Sequence, residues 1–421
     1  MRPTPTRLWR HTDFRKLWAG QTISLFGTQI TSLAIPLTAV LTLQATPPQM
    51  GLLRATHSAA ALMFGLFAGV LVDRLRRRPI LIGTDLGFVV LAGSIPLLAI
   101  FGLLRIEQLY LIQLLSGILS IFSDVAHMAF LPSLVKREQL IEGNSKLQTT
   151  AAAASIAGPG LAGVLVQLLT APIAIIVDAV SFLISALFIW SIRTPEPSPV
   201  TAIERRSIWS EIGEGLRVVF GNPILRPLAE AIALHFLFMS MISAIFILYA
   251  TRGLGIKPAL LGVIFGALGA GFLSGALMAG RIAKRYGLGT TMLGATLLTA
   301  VASALIPLAA GSSWKAISIL IAAHFMMALG IQTHGINMVS LRQSMTSNHL
   351  QGRMTASFRF INLCAMTVGA LLAGAFGEAI GLRTTLVVGA MGLLLPFLRL
   401  LNSPVRDLKE QPLNKKDFAS E

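Results

Sequence analysis

Apolar residues fill this chain in long runs, and charged residues punctuate the runs instead of alternating with apolar positions. A helix that crosses a hydrocarbon core about 30 Å thick needs roughly 20 predominantly apolar residues. Runs of that length lie at about 17–43, 50–73, 79–104, 108–132, 147–169, 171–192, 227–250, 258–282, 289–311, 315–341, 353–380 and 382–401. The pattern predicts twelve spans, with the shortest connectors near Thr170 and Gly381. The first run follows a basic stretch, Arg7 to Lys16, but is too long for the apolar segment of a secretory signal. It is expected to be a retained helix.

Composition sharpens the class. Of 421 residues, 54% are hydrophobic and 12% charged, and mean hydropathy is +0.74, whereas soluble domains carry about 25% charged residues. A soluble fold of this length would need a larger polar surface, so lipid is the expected solvent for most of the molecule. The single cysteine, Cys364, excludes an internal disulfide, and no His/Cys set has zinc-ligand spacing, so neither metal nor other cofactor is expected. The net charge of +16 would suit nucleic acid if the basic residues gathered on one surface. They do not: with the N-terminus inside, 28 of the 34 Lys and Arg fall on cytoplasmic segments and 6 on external ones. That bias predicts a multi-pass protein of the cell (inner) membrane with both termini cytoplasmic. Its basic loops would face anionic lipid headgroups, and no nucleic-acid partner is expected.

The longest polar stretch, Arg193 to Arg226, follows the sixth run and divides the chain. The expected organisation is a six-helix half at 1–192, a cytoplasmic linker at 193–226, a second six-helix half at 227–401 and a cytoplasmic tail at 402–421. Within the linker Trp209, Ile212, Leu216, Val219 and Phe220 recur at helical spacing opposite Glu211, Glu214 and Arg217, which predicts an amphipathic helix at the membrane surface. The halves also match at an offset of 211 residues: Gly69, Asp73 and Arg74 fall on Gly280, Lys284 and Arg285, and Gly158 and Gly163 on Gly369 and Gly374. Parallel repeats of six spans are one way in which secondary transporters are built, with the substrate bound between halves near the midplane. An all-α polytopic carrier with alternating access is the expected class; no nucleophile and base set occurs in its loops, so no enzyme activity is expected.

The loop after the second span, with Gly69, Leu71, Asp73, Arg74, Arg77, Arg78 and Leu81, resembles the G-x-L-x-D-R-x-G-R-[RK]-x-x-L signature of the major facilitator superfamily. Arg76 stands where glycine is usual, and Lys284 stands at the second copy's aspartate position. Asp13 to Trp18, Ser24 to Gly27, Asp124 to Ala126, Phe130 to Val135 and Glu142 to Leu147 resemble the branch that contains macrolide-efflux and enterobactin-exporter-like proteins. Gly158, Pro159 and Gly160 resemble the antiporter motif of exporters, and Asp178 to Phe182 completes the pattern. The resemblance implies the major facilitator fold and export of a drug-like or siderophore-like small molecule, driven by proton entry. Thr28 follows Gly27 where members of the family often carry an acid.

Several residues are candidates for that work. Charge inside a membrane helix is costly, so each such side chain needs a partner or a wet cavity. Asp73 is expected to meet the positive N-terminal end of a neighbouring helix, span eleven, as a gating latch. Asp124 is expected to pair with Arg77 or Arg78 and to couple a proton to that latch. Asp178 is the deepest first-half acid, and Glu230 and His235 are the next proton-coupling candidates, with Asp85, His324, His334 and Glu378 behind them. A hydrogen-bonded packing role is the alternative for each. Gly158, Pro159, Gly160 and Gly163 should bend span five and let it pack closely on a neighbour, either as a seal against leak in an exporter or as ordinary small-residue packing. Methionines on spans seven and ten suit varied apolar ligands, although filling of lipid-facing surface explains them too. The protein is expected to act as a monomer on a small-molecule substrate. An importer of a sugar or other metabolite with the same fold is the competing transport function, and a membrane-embedded enzyme or receptor is a further alternative.

Overall fold

A computed structural model describes residues 8–194, 196, 208–347 and 350–409; the side chains of 66–71, 73, 74 and 208–212 also lie outside the described set. The chain folds into helices α1 (Thr12–Leu37), α2 (Pro47–Arg74), α3 (Arg77–Ile100), α4 (Ile106–Leu134), α5 (Leu140–Leu169), α6 (Ala171–Trp190) and α7 (Ile208–Gly221). There follow α8 (Leu225–Leu248), α9 (Pro258–Tyr286), α10 (Leu288–Ala304), α11 (Trp314–Ser344), α12 (Gln351–Ala379), α13 (Leu382–Gly392) and α14 (Leu394–Leu401). No strand occurs among the described residues. Among the described residues, eleven helical segments are long and apolar enough to span a bilayer, the last of them α13 and α14 taken together. The 28-residue α2 sits where the twelfth is expected. The linker helix forms as α7, and Val219 on its apolar side is fully buried.

The 211-residue repeat reaches down to single turns of backbone. A π-helical turn at Thr38–Thr42 continues α1, and its equivalent at Tyr249–Gly253 continues α8. Pro47 opens α2 as Pro258 opens α9, α3 begins at Arg77 as α10 does at Leu288, and α6 ends at Trp190 as α14 does at Leu401. The joint between α5 and α6 is Thr170, with φ 79° and ψ 157°; its equivalent between α12 and α13 is Gly381, with φ 82° and ψ 158°. Glycine adopts that backbone region freely, whereas a β-branched residue is strained in it. The two joints share one turn geometry, held by glycine in one copy and by threonine in the other.

The chain forms two compact units, the first comprising Met1–Ala45, Ala60–Glu204 and Lys257–Gly262, the second Thr46–Ala59, Arg205–Ile256 and Val263–Glu421. In the first, α1 packs on α5 and α6, and α3 on α4 and α6. Its core at one end includes Phe14, Leu17, Leu81, Phe130, Leu131 and Ile189. In the second, α8 packs on α12, α13 and α14, and α10 on α11. Its core there includes Leu225, Met292, Leu341, Phe358, Leu400 and Val405. The linker helix α7 docks on α12 as well as meeting α8: Glu214 pairs with Arg353 at 2.7 Å, and a Cβ on Gly215 would lie 2.5 Å from the Arg353 carbonyl oxygen.

These units differ from the expected halves by an exchange of two short segments, and helix packing accounts for it. The first turns of α9 lie against α5: a Cβ on Gly163 would sit 2.5 Å from the Pro258 carbonyl oxygen and 3.0 Å from the Gly262 Cα. The first turns of α2 lie against α12 in the equivalent way, a Cβ on Gly51 falling 2.5 Å from the Ala370 carbonyl oxygen and 3.0 Å from the Gly374 Cα. Small residues on both sides let the helix backbones touch. Gly51 and Gly262 are 211 residues apart, as are Gly163 and Gly374, so the two pairings are copies of one contact.

Candidate functional site

The best-defined polar interior of the first unit lies between α1, α3 and α6. Asp178 is 2% exposed, and its carboxylate accepts a hydrogen bond from Ser181 at 3.2 Å. The space for this pair comes from α1: a Cβ on Gly27 would fall 2.5 Å from Asp178 Oδ1 and still closer to Ser181 Oγ. Asp85 on α3 is equally buried, and its Oδ2 has no hydrogen-bond partner among the described residues. Phe88, one turn on from Asp85, stacks on Phe182 of α6 with 4.5 Å between ring centroids. No ion pair to Asp178 or Asp85 occurs among the described residues.

The second unit solves the same packing problem without a charge. Phe238 stands at the position equivalent to Gly27, and Gly389 and Gly392 stand at those of Asp178 and Ser181. A Cβ on Gly392 would overlap the Phe238 ring, and one on Gly389 would lie 2.8 Å from Ile242 Cγ1. One large apolar ring with two glycines thus fills the volume that one glycine, a carboxylate and a hydroxyl fill in the first unit.

The polar interior of the second unit lies elsewhere. A cavity of about 70 Å³ is lined by His235, His334, Thr296, Thr299, Met338 and Pro396 among others, and Thr296 Oγ1 lies 3.1 Å from His334 Nδ1. His324 is instead packed between Phe246 and Phe265, ring centroids 4.6 and 5.8 Å away, and its Nδ1 donates to the Leu320 carbonyl. Glu230 is held by Arg226 at 2.9 Å and by Arg399 at 2.5 Å, which makes it a fixed corner of an ion-pair network tying α8 to α14. Among the described residues no group of three or more His, Cys, Asp or Glu side chains is placed to hold a metal ion.

The basic motif after α2 acquires a partner that spacing did not reveal. The backbone of its first part, Gly69 to Arg74, belongs to α2, while the side chains of 66–71, Asp73 and Arg74 lie outside the described set. Arg77 and Arg78 open α3, and the carboxylate of Glu196 accepts from both of their backbone N–H groups while pairing with the Arg77 guanidinium at 3.6 Å. An anion at a helix N-terminus is favourable there. Arg78 also donates to the carbonyl oxygen of Trp190, at the end of α6. Asp124, expected to draw these arginines, occupies an exposed position on α4. The glycine motif of α5 behaves as expected in packing: a Cβ on Gly158 would lie 2.6 Å from Gln29 on α1, and Pro159 and Gly160 lie against Gly262. Pro159 leaves α5 continuous from Leu140 to Leu169.

A duplicated bundle of long apolar helices with isolated buried polar residues is the architecture of a polytopic membrane carrier. The model of the Major Facilitator Superfamily matches residues 17–362 and, in a second match, 228–420. The chain belongs to that superfamily. It is 29% identical over 354 residues to the multidrug efflux pump Tap of Mycolicibacterium fortuitum, covering 80% of this chain and 84% of Tap. It is 26% identical over 401 residues to the enterobactin exporter EntS of Salmonella typhimurium, covering 93% and 92%. A bacterial homologue of the iron transporter ferroportin, solved in an inward-facing state, superposes with a TM-score of 0.74 over 94% of this chain and 99% of that one. At 17% identity that likeness concerns the fold alone. These relatives and neighbours are transporters, not enzymes.

Proposed function

We propose that the protein exports small amphipathic molecules by alternating access, and that proton entry drives the cycle through Asp178. The direction of transport rests on the similarity to Tap and EntS, whose names describe efflux and export. The coupling rests on one observation: the second unit packs the equivalent helix contact with Phe238, Gly389 and Gly392, so the scaffold has no structural need for a carboxylate at position 178. Burying an unpaired carboxylate is costly, and binding a proton removes the charge that burial penalises. A residue that is expensive and dispensable for packing is best explained by chemistry. Glu230 is a poor alternative, because two arginines hold its charge in place.

The test is accumulation of ethidium and of a macrolide in cells stripped of their own pumps. Expression of the wild-type chain should lower the intracellular level, and a protonophore should restore it. Asp178→Asn should leave the protein in the membrane yet unable to lower the level. Equal accumulation with and without the wild-type chain, across a panel of such compounds, would remove the export reading.

A further inference from the structure

At one end of the first unit, a cavity of about 950 Å³ opens between the start of α1 and the end of α6. Four basic side chains line it, Arg10, Lys16, Arg78 and Arg193, against the single carboxylate of Asp13. That carboxylate is already saturated: it accepts from the Thr194 hydroxyl at 2.7 Å, from the Thr194 and Arg193 backbone N–H groups at 2.9 and 3.1 Å, and from Lys16 at 3.3 Å. Lys16 also donates to the Ser191 carbonyl at 2.5 Å, and Arg78 to that of Trp190. The guanidinium groups of Arg10 and Arg193 have no partner among the described residues, and both residues are exposed. His11 accepts from the Phe14 N–H through Nδ1, which leaves the proton of a neutral ring on Nε2.

The repeat shows that the fold does not require this basin. The residues equivalent to the four cations are Gly221, Pro227, Gly289 and Pro404, none of them charged. In the second unit the corresponding space is closed by the chain itself, since the Gly289 N–H donates to the Leu408 carbonyl at 2.8 Å and Val405 is fully buried. The first unit has kept the space open and placed four cations around it.

We propose that this basin binds a phosphate group, and specifically the headgroup phosphate of an anionic phospholipid. Forked guanidinium donors suit phosphate oxygens. The lipid, in preference to a soluble phosphate, is indicated by two exposed tryptophans, Trp190 in the lining and Trp9, which precedes the lining residue Arg10 in the chain. Trp190 is 68% exposed, and Trp9, edge-on to Trp18 at 4.8 Å, is 42% exposed. Exposed tryptophans at the ends of membrane helices mark the headgroup level. The proposal is independent of the transport reading.

The experiment is lipid binding to the purified full-length protein in detergent, followed by native mass spectrometry and by melting temperature. Phosphatidylglycerol should be retained and should raise the melting temperature, while phosphatidylcholine and millimolar inorganic phosphate should do neither. Each basic residue at a headgroup contributes about a factor of five, so the double variant Arg10→Gln/Arg193→Gln should lose roughly 30-fold in affinity for phosphatidylglycerol. Its melting temperature without lipid should be unchanged. The variant Arg281→Gln/Arg285→Gln, with the same loss of charge at α9, should bind as the wild type does. Equal weakening in the α9 variant, or none in the Arg10/Arg193 variant, would overturn the site. Protection by inorganic phosphate equal to that by the lipid would overturn the lipid assignment.

Discussion

The pairing of α5 with the first turns of α9 makes a sharp prediction within one short motif. A methyl group added at Gly163 would stand 2.5 Å from the Pro258 carbonyl oxygen and 3.0 Å from the Cα atoms of Ala259 and Gly262. Restoring ordinary contact requires the helices to part by nearly 1 Å, and overpacking of that kind costs about 1–3 kcal/mol. At about 1.4 kcal/mol per factor of ten, Gly163→Ala should disfavour the paired arrangement by roughly 5- to 150-fold. Gly160, three residues earlier on the same helix, has open space where its Cβ would be, so Gly160→Ala should be harmless. The Gln167 side chain, which accepts from the Ala259 N–H at 3.3 Å, marks where to measure the contact. In a Cys364→Ser background, Gln167→Cys with Ala259→Cys should cross-link rapidly through a short thiol reagent. Added Gly163→Ala should slow that reaction at least fivefold, and added Gly160→Ala should not change it. Equal cross-linking in all three backgrounds would refute the close contact.

Other consequences follow from the duplication and the charge pattern. Thr170→Gly should relieve about 1–3 kcal/mol of backbone strain against about 0.5–1 kcal/mol of added chain entropy, and so raise the melting temperature in detergent. Gly381→Ala should lower it although its Cβ meets nothing; the opposite order would show that the joint is not strained. Gly27→Phe/Asp178→Gly/Ser181→Gly transplants the packing of the second unit into the first, and should give a folded protein that does not pump. Drug export by that variant at wild-type rates would free Asp178 of any coupling role. Cysteines introduced singly as Thr46→Cys, Ser198→Cys and Ser312→Cys should react with an impermeant reagent outside the cell only at the first and third positions. External labelling at Ser198→Cys would contradict the topology drawn from the 28 to 6 division of basic residues.

The architecture was legible because lipid simplifies the code: a run of about 20 apolar residues is a span almost regardless of its neighbours. The repeat was legible as well, and the structure carries its 211-residue offset from two glycine motifs down to paired π-turns. What spacing left hidden is tertiary. Glu196 sits in a proline-rich linker with no motif to single it out, yet its carboxylate closes the N-terminus of α3 about 120 residues earlier in the chain. Arg77 and Arg78 were expected to pair with Asp124; the acid that meets them at the start of α3 is Glu196. Glu230 looked like a membrane acid until two arginines, one of them 169 residues away, were found on it. The exchange of first turns between units follows from Gly51 and Gly262, whose significance appears only against Gly374 and Gly163. A signal for Asp178 did exist in the sequence, since the same offset sets Gly27, Asp178 and Ser181 against Phe238, Gly389 and Gly392.

On the proposed mechanism, a proton gradient acting through Asp178 would drive a small amphipathic molecule across the membrane. Purified protein reconstituted into liposomes with an acidic interior tests it most directly, with ethidium or a macrolide added outside and the internal concentration followed. The wild-type protein should accumulate the compound above its external level, and a protonophore should collapse that accumulation. Asp178→Asn should let the compound equilibrate without rising above the external level. Accumulation by Asp178→Asn equal to that of the wild type, or mere equilibration by the wild type, would contradict the account.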